Sequence, residues 1–266
     1  MPSAQASGAT IHYTVEGAGE RALLLLIGLG GHASEWGEPF VRDLARDHRV
    51  ILMDHRGIGQ SQTQERKWTL NDMANDALAV LDAIGLARAH IIGTSMGGMI
   101  AQLLAAEHAS RVDKLVLIGT SFGGAEAIPA TAEAIAALVP QRGVPYAEQW
   151  RRGIRVLTSE TFMQDQAELI ELLVAQRARN PTPGRVFQAQ FDALLASDRS
   201  ELVRGIRAPT LVLHGALDPL VPPENGRLLS ERIPGARLLT FEGCGHMPYL
   251  EEPVRTAEAI RAFLQG

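Results

Sequence analysis

Six short apolar runs recur along the chain, and longer segments with helical periodicity separate them. Most of the runs are apolar at every position, so a strand formed by one of them must be covered on both faces. Strands of that kind belong to a parallel sheet with helices on each side, which predicts an α/β fold. The alternating segment Thr10–Glu16 predicts an edge strand ahead of the parallel set. The six predicted strands are Ala22–Ile27, Val50–Met53, Ala89–Ile92, Leu115–Ile118, Thr210–Leu213 and Ala236–Phe241.

Four segments between and after these runs predict helices. The clearest is Thr69–Ile84, where apolar residues recur at helical spacing. Thr69 and Asp72 are placed as a capping box at its start, and Gly85 is placed as its C-terminal stop. The other predicted helices are Met96–His108, Pro223–Arg232 and Pro253–Leu264.

The alternation stops between Ser121 and about Arg199, where helical patterns rich in Ala, Leu, Glu and Arg dominate. A helical block inserted between two strands of a parallel sheet predicts a cap over the carboxyl ends of the strands, where open α/β sheets place their ligands. We therefore expect residues 1–120 and 200–266 to form the core and residues 121–199 to form a helical cap.

The net charge and the cysteine content indicate which kinds of partner and which cellular compartment to expect for this protein. The net charge is −5 and the basic residues are scattered, which predicts no binding to nucleic acid or to an anionic membrane surface. The single cysteine, Cys244, cannot form an internal disulfide, and the first residues lack a signal-peptide pattern. The longest apolar stretch is far too short to span a bilayer. We expect a soluble cytoplasmic protein with a small-molecule partner.

The segment Gly93-Thr-Ser-Met-Gly97 fits the pattern Gly-x-Ser-x-Gly. A shuffled chain of this composition would contain the pattern about once in ten trials, so its position is more informative than its presence. It lies between the predicted strand that ends at Ile92 and the predicted helix that starts at Met96. Such a turn is typical of a nucleophile elbow, which exposes a serine hydroxyl at the carboxyl edge of a sheet. We predict Ser95 as a catalytic nucleophile.

A serine hydroxyl needs a base that removes its proton, and the base needs a carboxylate that orients it. His246 follows the last predicted strand and Asp218 follows the strand before it, so both lie in loops at the edge where Ser95 lies. The order serine, aspartate, histidine is the one expected for this arrangement. We predict His246 as the general base and Asp218 as its orienting acid, the alternatives being a capping histidine and a simple turn. His214 directly ends a strand and is predicted to be structural.

Two backbone N–H groups are the expected donors to a tetrahedral oxyanion. The helix after Ser95 directs its free N–H groups and positive dipole end at the site, which predicts the Met96 N–H as one donor. The loop Gly28-Leu-Gly-Gly31 follows the first long strand and lets the backbone approach a substrate, which predicts the Leu29 N–H as the second.

The substrate pocket should be formed by the cap and by apolar residues that flank these groups. None of the candidates is charged, which favours acyl groups of short to medium length. Met99 is explained equally well as a core residue. The candidate pocket residues are Leu29, Trp36, Met99, Phe122, Leu220, Val221 and Met247.

Together these segments resemble the α/β-hydrolase superfamily, in the group of small carboxylesterases, enol-lactonases and cofactor-free perhydrolases. One departure is Ile27, which precedes Gly28 where the family often has histidine. Family members with an aspartate nucleophile, such as haloalkane dehalogenases and epoxide hydrolases, are disfavoured by Ser95. The matching segments run almost end to end and are Leu25-Leu-Ile-Gly-Leu-Gly-Gly, Asp54-His-Arg-Gly-Ile-Gly-Gln-Ser, Gly93-Thr-Ser-Met-Gly-Gly, Leu213-His-Gly-Ala-Leu-Asp and Gly245-His-Met.

The resemblance implies an α/β-hydrolase fold, with a mostly parallel central sheet, helices on both faces and a helical cap insertion. It implies a serine hydrolase that cleaves small carboxylic esters or lactones through an acyl-enzyme intermediate, with no cofactor. Acyl-homoserine lactones, enol-lactones and simple alkyl esters are all compatible substrates, and promiscuous perhydrolysis would use the same triad. No His-Glu-x-x-His motif or cysteine pair predicts a metal site.

Two other functions fit parts of the sequence. One is a dinucleotide-binding oxidoreductase, because Gly28-Leu-Gly-Gly-His-Ala33 fits Gly-x-Gly-x-x-Ala after a strand and Asp54 follows the next strand. However, Trp36-Gly-Glu-Pro39 interrupts the helix that this motif requires, and Ser95 is left without a role. The other is a hydrolase-fold ligand receptor that binds its ligand without efficient turnover.

Overall fold

The computed structural model describes residues 2–266, and its core is a single sheet of nine strands within that range. The strand order is β1-β2-β4-β3-β6-β7-β8-β9, with β5 paired to β2. From β4 to β9 every neighbouring pair is parallel, while β1, β2 and β5 pair antiparallel at one edge. The strands are β1 (Ser3–Ala6), β2 (Ala9–Glu16), β3 (Arg21–Leu26), β4 (His48–Met53), β5 (Gln62–Thr63), β6 (Ala89–Thr94), β7 (Val112–Ile118), β8 (Thr210–Gly215) and β9 (Arg237–Phe241).

The six apolar runs form β3, β4, β6, β7, β8 and β9, so the predicted parallel set is confirmed. Thr10–Glu16 lies within β2, which pairs antiparallel with β4 as expected of the segment ahead of that set. Two strands were not predicted, β1 and β5. They have four and two residues, which is too short for the alternation of side chains to identify a strand.

Helices cover both faces of the sheet within the described part of the chain. Those outside the predicted cap are α1 (Glu38–Leu44), α2 (Leu70–Ala83), α3 (Met96–Glu107), α9 (Glu224–Arg232), α10 (Pro248–Glu251) and α11 (Pro253–Gln265). All four predicted helices are confirmed as α2, α3, α9 and α11. At the start of α2, Thr69 Oγ1 accepts from the Asp72 N–H and Asp72 Oδ2 accepts from the Thr69 N–H, as the predicted capping box requires.

The side chains of β3 explain how one strand supports two layers. Leu24 and Leu26 belong to a buried cluster with α2 and α3, whereas Leu23 and Leu25 belong to a second cluster with α1 and α11. β3 lies between β4 and β6, so the chain passes to opposite sides of it in successive crossovers. The loops after β3 and β6 therefore diverge at a topological switch point, which is where parallel sheets form ligand crevices.

Five helices lie between β7 and β8, in the predicted cap segment (residues 121–199). At its base a single antiparallel bridge joins Gly123 to Asp198, so the segment leaves and re-enters the core side by side. The helices are α4 (Ala132–Leu138), α5 (Tyr146–Leu157), α6 (Glu160–Asp165), α7 (Ala167–Arg179) and α8 (Gly184–Leu195). From Pro2 to the C-terminus, the structure has no helix with the length and apolar character needed to cross a membrane.

Candidate active site

Ser95 lies at the sharp turn between β6 and α3. Its φ is 53°, and it is the one non-glycine residue with a positive φ among residues 2–266. A Cβ at Gly97 would overlap the carbonyl oxygen of Leu26, and one at Gly93 would overlap the carbonyl of Gly97. Only glycine fits both positions, because the strand and the helix approach each other this closely on either side of Ser95.

Asp218 and His246 form a buried pair at the same edge of the sheet. His246 Nδ1 and Asp218 Oδ2 are 2.6 Å apart, and Asp218 Oδ1 accepts the N–H groups of Leu220 and Val221 at 2.9 Å. Burial by itself would raise the pKa of Asp218, but His246 and His214 outweigh it and lower that pKa to about 2. Asp218 is therefore an acceptor, so Nδ1 of His246 carries the proton and Nε2 is free to accept one.

His214 also contacts Asp218, as a structural partner. Its Nε2 lies 2.7 Å from the carbonyl oxygen of Val221 and 3.5 Å from Asp218 Oδ2, and its side chain is fully buried. Val221 thus donates its N–H to Asp218 and accepts from His214, which fixes the loop that carries the carboxylate. The position of His214 at the end of β8 was the sequence signal for this role.

Ser95 and His246 line one cavity, of about 640 Å³, between the sheet edge and the cap segment. The Ser95 side chain is half-buried, and its hydroxyl makes no hydrogen bond to any described residue. Catalytic hydrogen bonds are often absent before a substrate binds, so this geometry is compatible with a nucleophile and its base. Asp218 and His246 are in contact, and Ser95 lines the same cavity as His246.

Met96 and Leu29, the two residues predicted to donate to an oxyanion, also line this cavity. Neither backbone N–H has a hydrogen-bond partner within the described chain. Gly28, next to Leu29, lies so close to Ser95 that a Cβ there would be 3.1 Å from Ser95 Cβ. Two N–H donors without a partner in the described chain therefore line the cavity that Ser95 lines, and they remain the candidates for stabilising an oxyanion.

Five of the seven candidate pocket residues line the cavity, namely Leu29, Met99, Leu220, Val221 and Met247. Trp36 and Phe122 do not, which corrects the sequence-based expectation for both. The Trp36 ring packs between Phe40 and Tyr249 in the core, and the Phe122 ring lies under the Arg232 guanidinium, 4.3 Å away. Both side chains are fully buried because their rings face the core and not the crevice.

The rest of the cavity wall comes largely from the cap segment, which the sequence did not resolve into individual residues. The apolar faces of α5 and α8 supply aromatic and aliphatic side chains to it. A helical periodicity was the available signal, but it does not say which face meets the core. These additional lining residues include Ile128, Ile135, Tyr146, Trp150, Phe187, Phe191 and Leu194.

Two other side chains near the site, Cys244 and His32, are buried. Cys244 is buried, and burial raises the pKa of its thiol, which is typical of an unreactive packing residue. His32 is 6% exposed, and its Nδ1 lies 3.2 Å from Nδ2 of Asn180 in the cap segment. The helix after the Gly28–Gly31 loop begins only at Glu38, beyond a 3-10 turn, which disfavours the dinucleotide interpretation.

Comparisons with known proteins agree with this architecture. A family model for the alpha/beta hydrolase fold matches residues 21–253. A curated relative, the 2-hydroxy-6-oxononadienedioate/2-hydroxy-6-oxononatrienedioate hydrolase of Burkholderia vietnamiensis, is 33% identical over 96% of this chain and 91% of its own length.

Two solved structures are similar over almost the whole chain. The enol-lactonase from Burkholderia xenovorans LB400 superposes with a TM-score of 0.86 at 25% identity, covering 100% of both chains. The esterase RhEst1 from Rhodococcus sp. ECU1013 gives a TM-score of 0.87 at 29% identity, covering 99% of this chain and 98% of that one. The relatives are hydrolases, and the predicted fold class is confirmed: this chain belongs to the alpha/beta hydrolase family.

Proposed function

We propose that this protein is a serine hydrolase that cleaves small carboxylic esters or lactones through an acyl-enzyme intermediate. The observation that carries the proposal is the 2.6 Å contact between His246 Nδ1 and Asp218 Oδ2, with Ser95 on the same cavity wall. A histidine whose Nδ1 proton is held by a carboxylate presents Nε2 as a base, which is what a serine nucleophile needs.

In the first step Ser95 Oγ attacks the carbonyl carbon of the substrate, and His246 Nε2 accepts the hydroxyl proton. The Met96 and Leu29 N–H groups stabilise the oxyanion, and Asp218 stabilises the imidazolium. The tetrahedral intermediate collapses, His246 returns the proton to the leaving alcohol, and the acyl group stays on Ser95. In the second step His246 activates a water that releases the carboxylic acid and restores the serine. For a lactone, the leaving alcohol is part of the same molecule.

The cavity wall supports an ester or lactone in preference to the substrate named for the relative from Burkholderia vietnamiensis. That name specifies a dioate, which carries two carboxylates. Here the wall is mostly aliphatic and aromatic, and within residues 2–266 Arg177 is its only Lys or Arg residue. An apolar wall favours an apolar acyl or alkyl group. We propose residues 121–199 as the cap that sets this preference.

The test is a panel of p-nitrophenyl esters of rising acyl length, run beside a set of lactones. We expect turnover with a preference for one range of chain length, and we expect Ser95→Ala to lower kcat by about 10³-fold or more. Saturable ligand binding without turnover of any panel member would overturn the proposal in favour of a receptor. Near-normal turnover by Ser95→Ala would overturn the assignment of the nucleophile.

A further inference from the structure

The cavity wall carries one pair of opposite charges. Of the Lys, Arg, Asp and Glu residues that the structure describes, Glu35 and Arg177 are the two that line it. They come from different parts of the fold, because Glu35 lies in the 3-10 turn Ala33–Trp36 after β3 and Arg177 lies in α7 of the cap segment. The side chains are 16% and 7% exposed.

The Arg177 guanidinium is already engaged within the protein, although its Nη1 makes an ion pair and no hydrogen bond. Its Nη1 is ion-paired with Glu35 Oε1, and its Nη2 donates to the carbonyl oxygen of Gly30. Its Nε donates to the Tyr146 hydroxyl at 2.9 Å, and its guanidinium lies 4.8 Å from the centre of the Trp150 ring. Burial lowers the pKa of Arg177 to about 10, which keeps it cationic at neutral pH. The charge is therefore present, and Glu35 is its ion-pair partner.

Glu35 is held in place from the core side. Its Oε1 accepts the backbone N–H of His32 at 3.1 Å, which closes the turn that carries it. The next residue, Trp36, is fixed between the aromatic rings of Phe40 and Tyr249. Glu35 therefore holds its carboxylate at the Arg177 guanidinium without help from a ligand.

We propose that Glu35 is a specificity-determining residue, which neutralises Arg177 and reserves the cavity for uncharged acyl groups. An acyl group that ends in a carboxylate would lose its hydration on entry and would find no unpaired cation. It would also meet the negative charge of Glu35. The inference rests on the proposed esterase or lactonase activity and specifies the substrate class of that site.

The first test uses the wild-type enzyme alone. Its substrates are mono-p-nitrophenyl esters of four- to eight-carbon dicarboxylic acids, each paired with the compound whose free carboxylate is methylated. We expect kcat/KM for the methylated member to exceed that of its anionic partner by about 100-fold or more, because a buried charge without a partner costs several kcal/mol. Equal kcat/KM within a pair would overturn the inference and leave the proposed function intact. No turnover of either member would count against the proposed function instead.

The second test uses Glu35→Gln, which removes the charge but keeps an oxygen acceptor for the His32 N–H. With its counter-ion gone, Arg177 can pair with an incoming carboxylate. We expect kcat/KM for the anionic esters to rise about tenfold, with the methylated esters changing much less. The matched control is Glu171→Gln, which removes a carboxylate of α7 that pairs outside the cavity with Arg151. An unchanged preference in Glu35→Gln, or an equal change in Glu171→Gln, would contradict the role of Glu35.

Discussion

The backbone N–H of Gly30 donates to Gln190 Oε1 at 2.7 Å, although the two residues are 160 positions apart. The carbonyl of Gly30 accepts from Thr182 Oγ1 at 2.7 Å and from Arg177. The backbone N–H and the backbone carbonyl of Gly30 are thus both held by the cap segment. Since Leu29, the residue before it, is a candidate oxyanion donor, the cap segment fixes the loop on which that donor lies.

Gln190→Leu should therefore impair catalysis more than substrate binding. The leucine has a similar size but cannot accept from the Gly30 N–H, so the Leu29 N–H would be less well positioned. We expect kcat to fall about tenfold with a smaller change in KM, since loss of a whole oxyanion donor costs about 10²–10³-fold. Steady-state kinetics with a p-nitrophenyl ester gives both constants. Gln188→Leu is the control, because that exposed residue of α8 bonds only to Asp192. A change confined to KM would contradict the positioning role.

Gly97→Ala should destabilise the fold as well as abolish activity. The added Cβ would overlap the carbonyl of Leu26, and the backbone on both sides is buried and cannot move aside. We expect the free energy of unfolding to fall by about 3 kcal/mol or more, in the range of severe core substitutions. Urea denaturation followed by circular dichroism measures it. The control is Gly184→Ala, at the start of α8, where no atom lies within 4 Å of the added Cβ. Equal stability of the two variants would be inconsistent with the close approach at the elbow.

Asp218→Asn should reduce turnover without unfolding the protein. The amide cannot hold the Nδ1 proton of His246 as a carboxylate does, so the imidazole would lose its orientation and its tautomer. We expect kcat to fall about 10³–10⁴-fold. Because the pKa of Asp218 is lowered to about 2, its carboxylate is ionised throughout pH 4–9, so its own titration should not contribute to the pH profile of the wild-type enzyme in that range. The control is Asp192→Asn, on the exposed face of α8. Activity above a tenth of the wild-type value would exclude Asp218 as the orienting acid.

Because the pKa of His90 is lowered in the folded protein, the free energy of unfolding should be smaller in mild acid than at neutral pH. Burial lowers the pKa of His90 from 6.5 to about 4, so the unfolded chain binds a proton between those values while the folded chain does not. Stability therefore falls as the pH drops from about 6.5 to about 4, and the contribution of His90 is about 2 kcal/mol once solvent screening is allowed for. In His90→Gln, the free energy of unfolding should depend less on pH in this window. His108→Gln is the control, and an identical pH dependence in the two variants would rule out the contribution.

The sheet could be predicted because its strands are buried on both faces. In β3 the residues Leu23 to Leu26 alternate between two cores, so none can be polar and the run is visible in the sequence. The capping box of α2 could also be predicted, because Thr69 and Asp72 are only three residues apart and hydrogen-bond to each other. Interactions that lie close together in sequence leave patterns that spacing alone can identify.

The cavity wall could not be predicted in this way, because it depends on how distant segments pack. Trp36 and Phe122 are large apolar residues near the candidate triad, and only the packing of Phe40, Tyr249 and Arg232 shows that their rings face the core. The Glu35–Arg177 pair joins a turn after β3 to α7, and the sequence has no local signal for it. Side chains from the cap segment were missed for the same reason.

The most direct test of Ser95 as the nucleophile is to locate the serine that reacts with phenylmethylsulfonyl fluoride. Intact-mass spectrometry should show one sulfonyl group per chain, and peptide mapping should place it on Ser95, with loss of esterase activity in proportion to labelling. Ser95→Ala should not be labelled, whereas Ser121→Ala, which alters another serine on the cavity wall, should be labelled as the wild type is. Labelling at Ser121 or at any residue other than Ser95 would contradict the proposed nucleophile and the mechanism built on it.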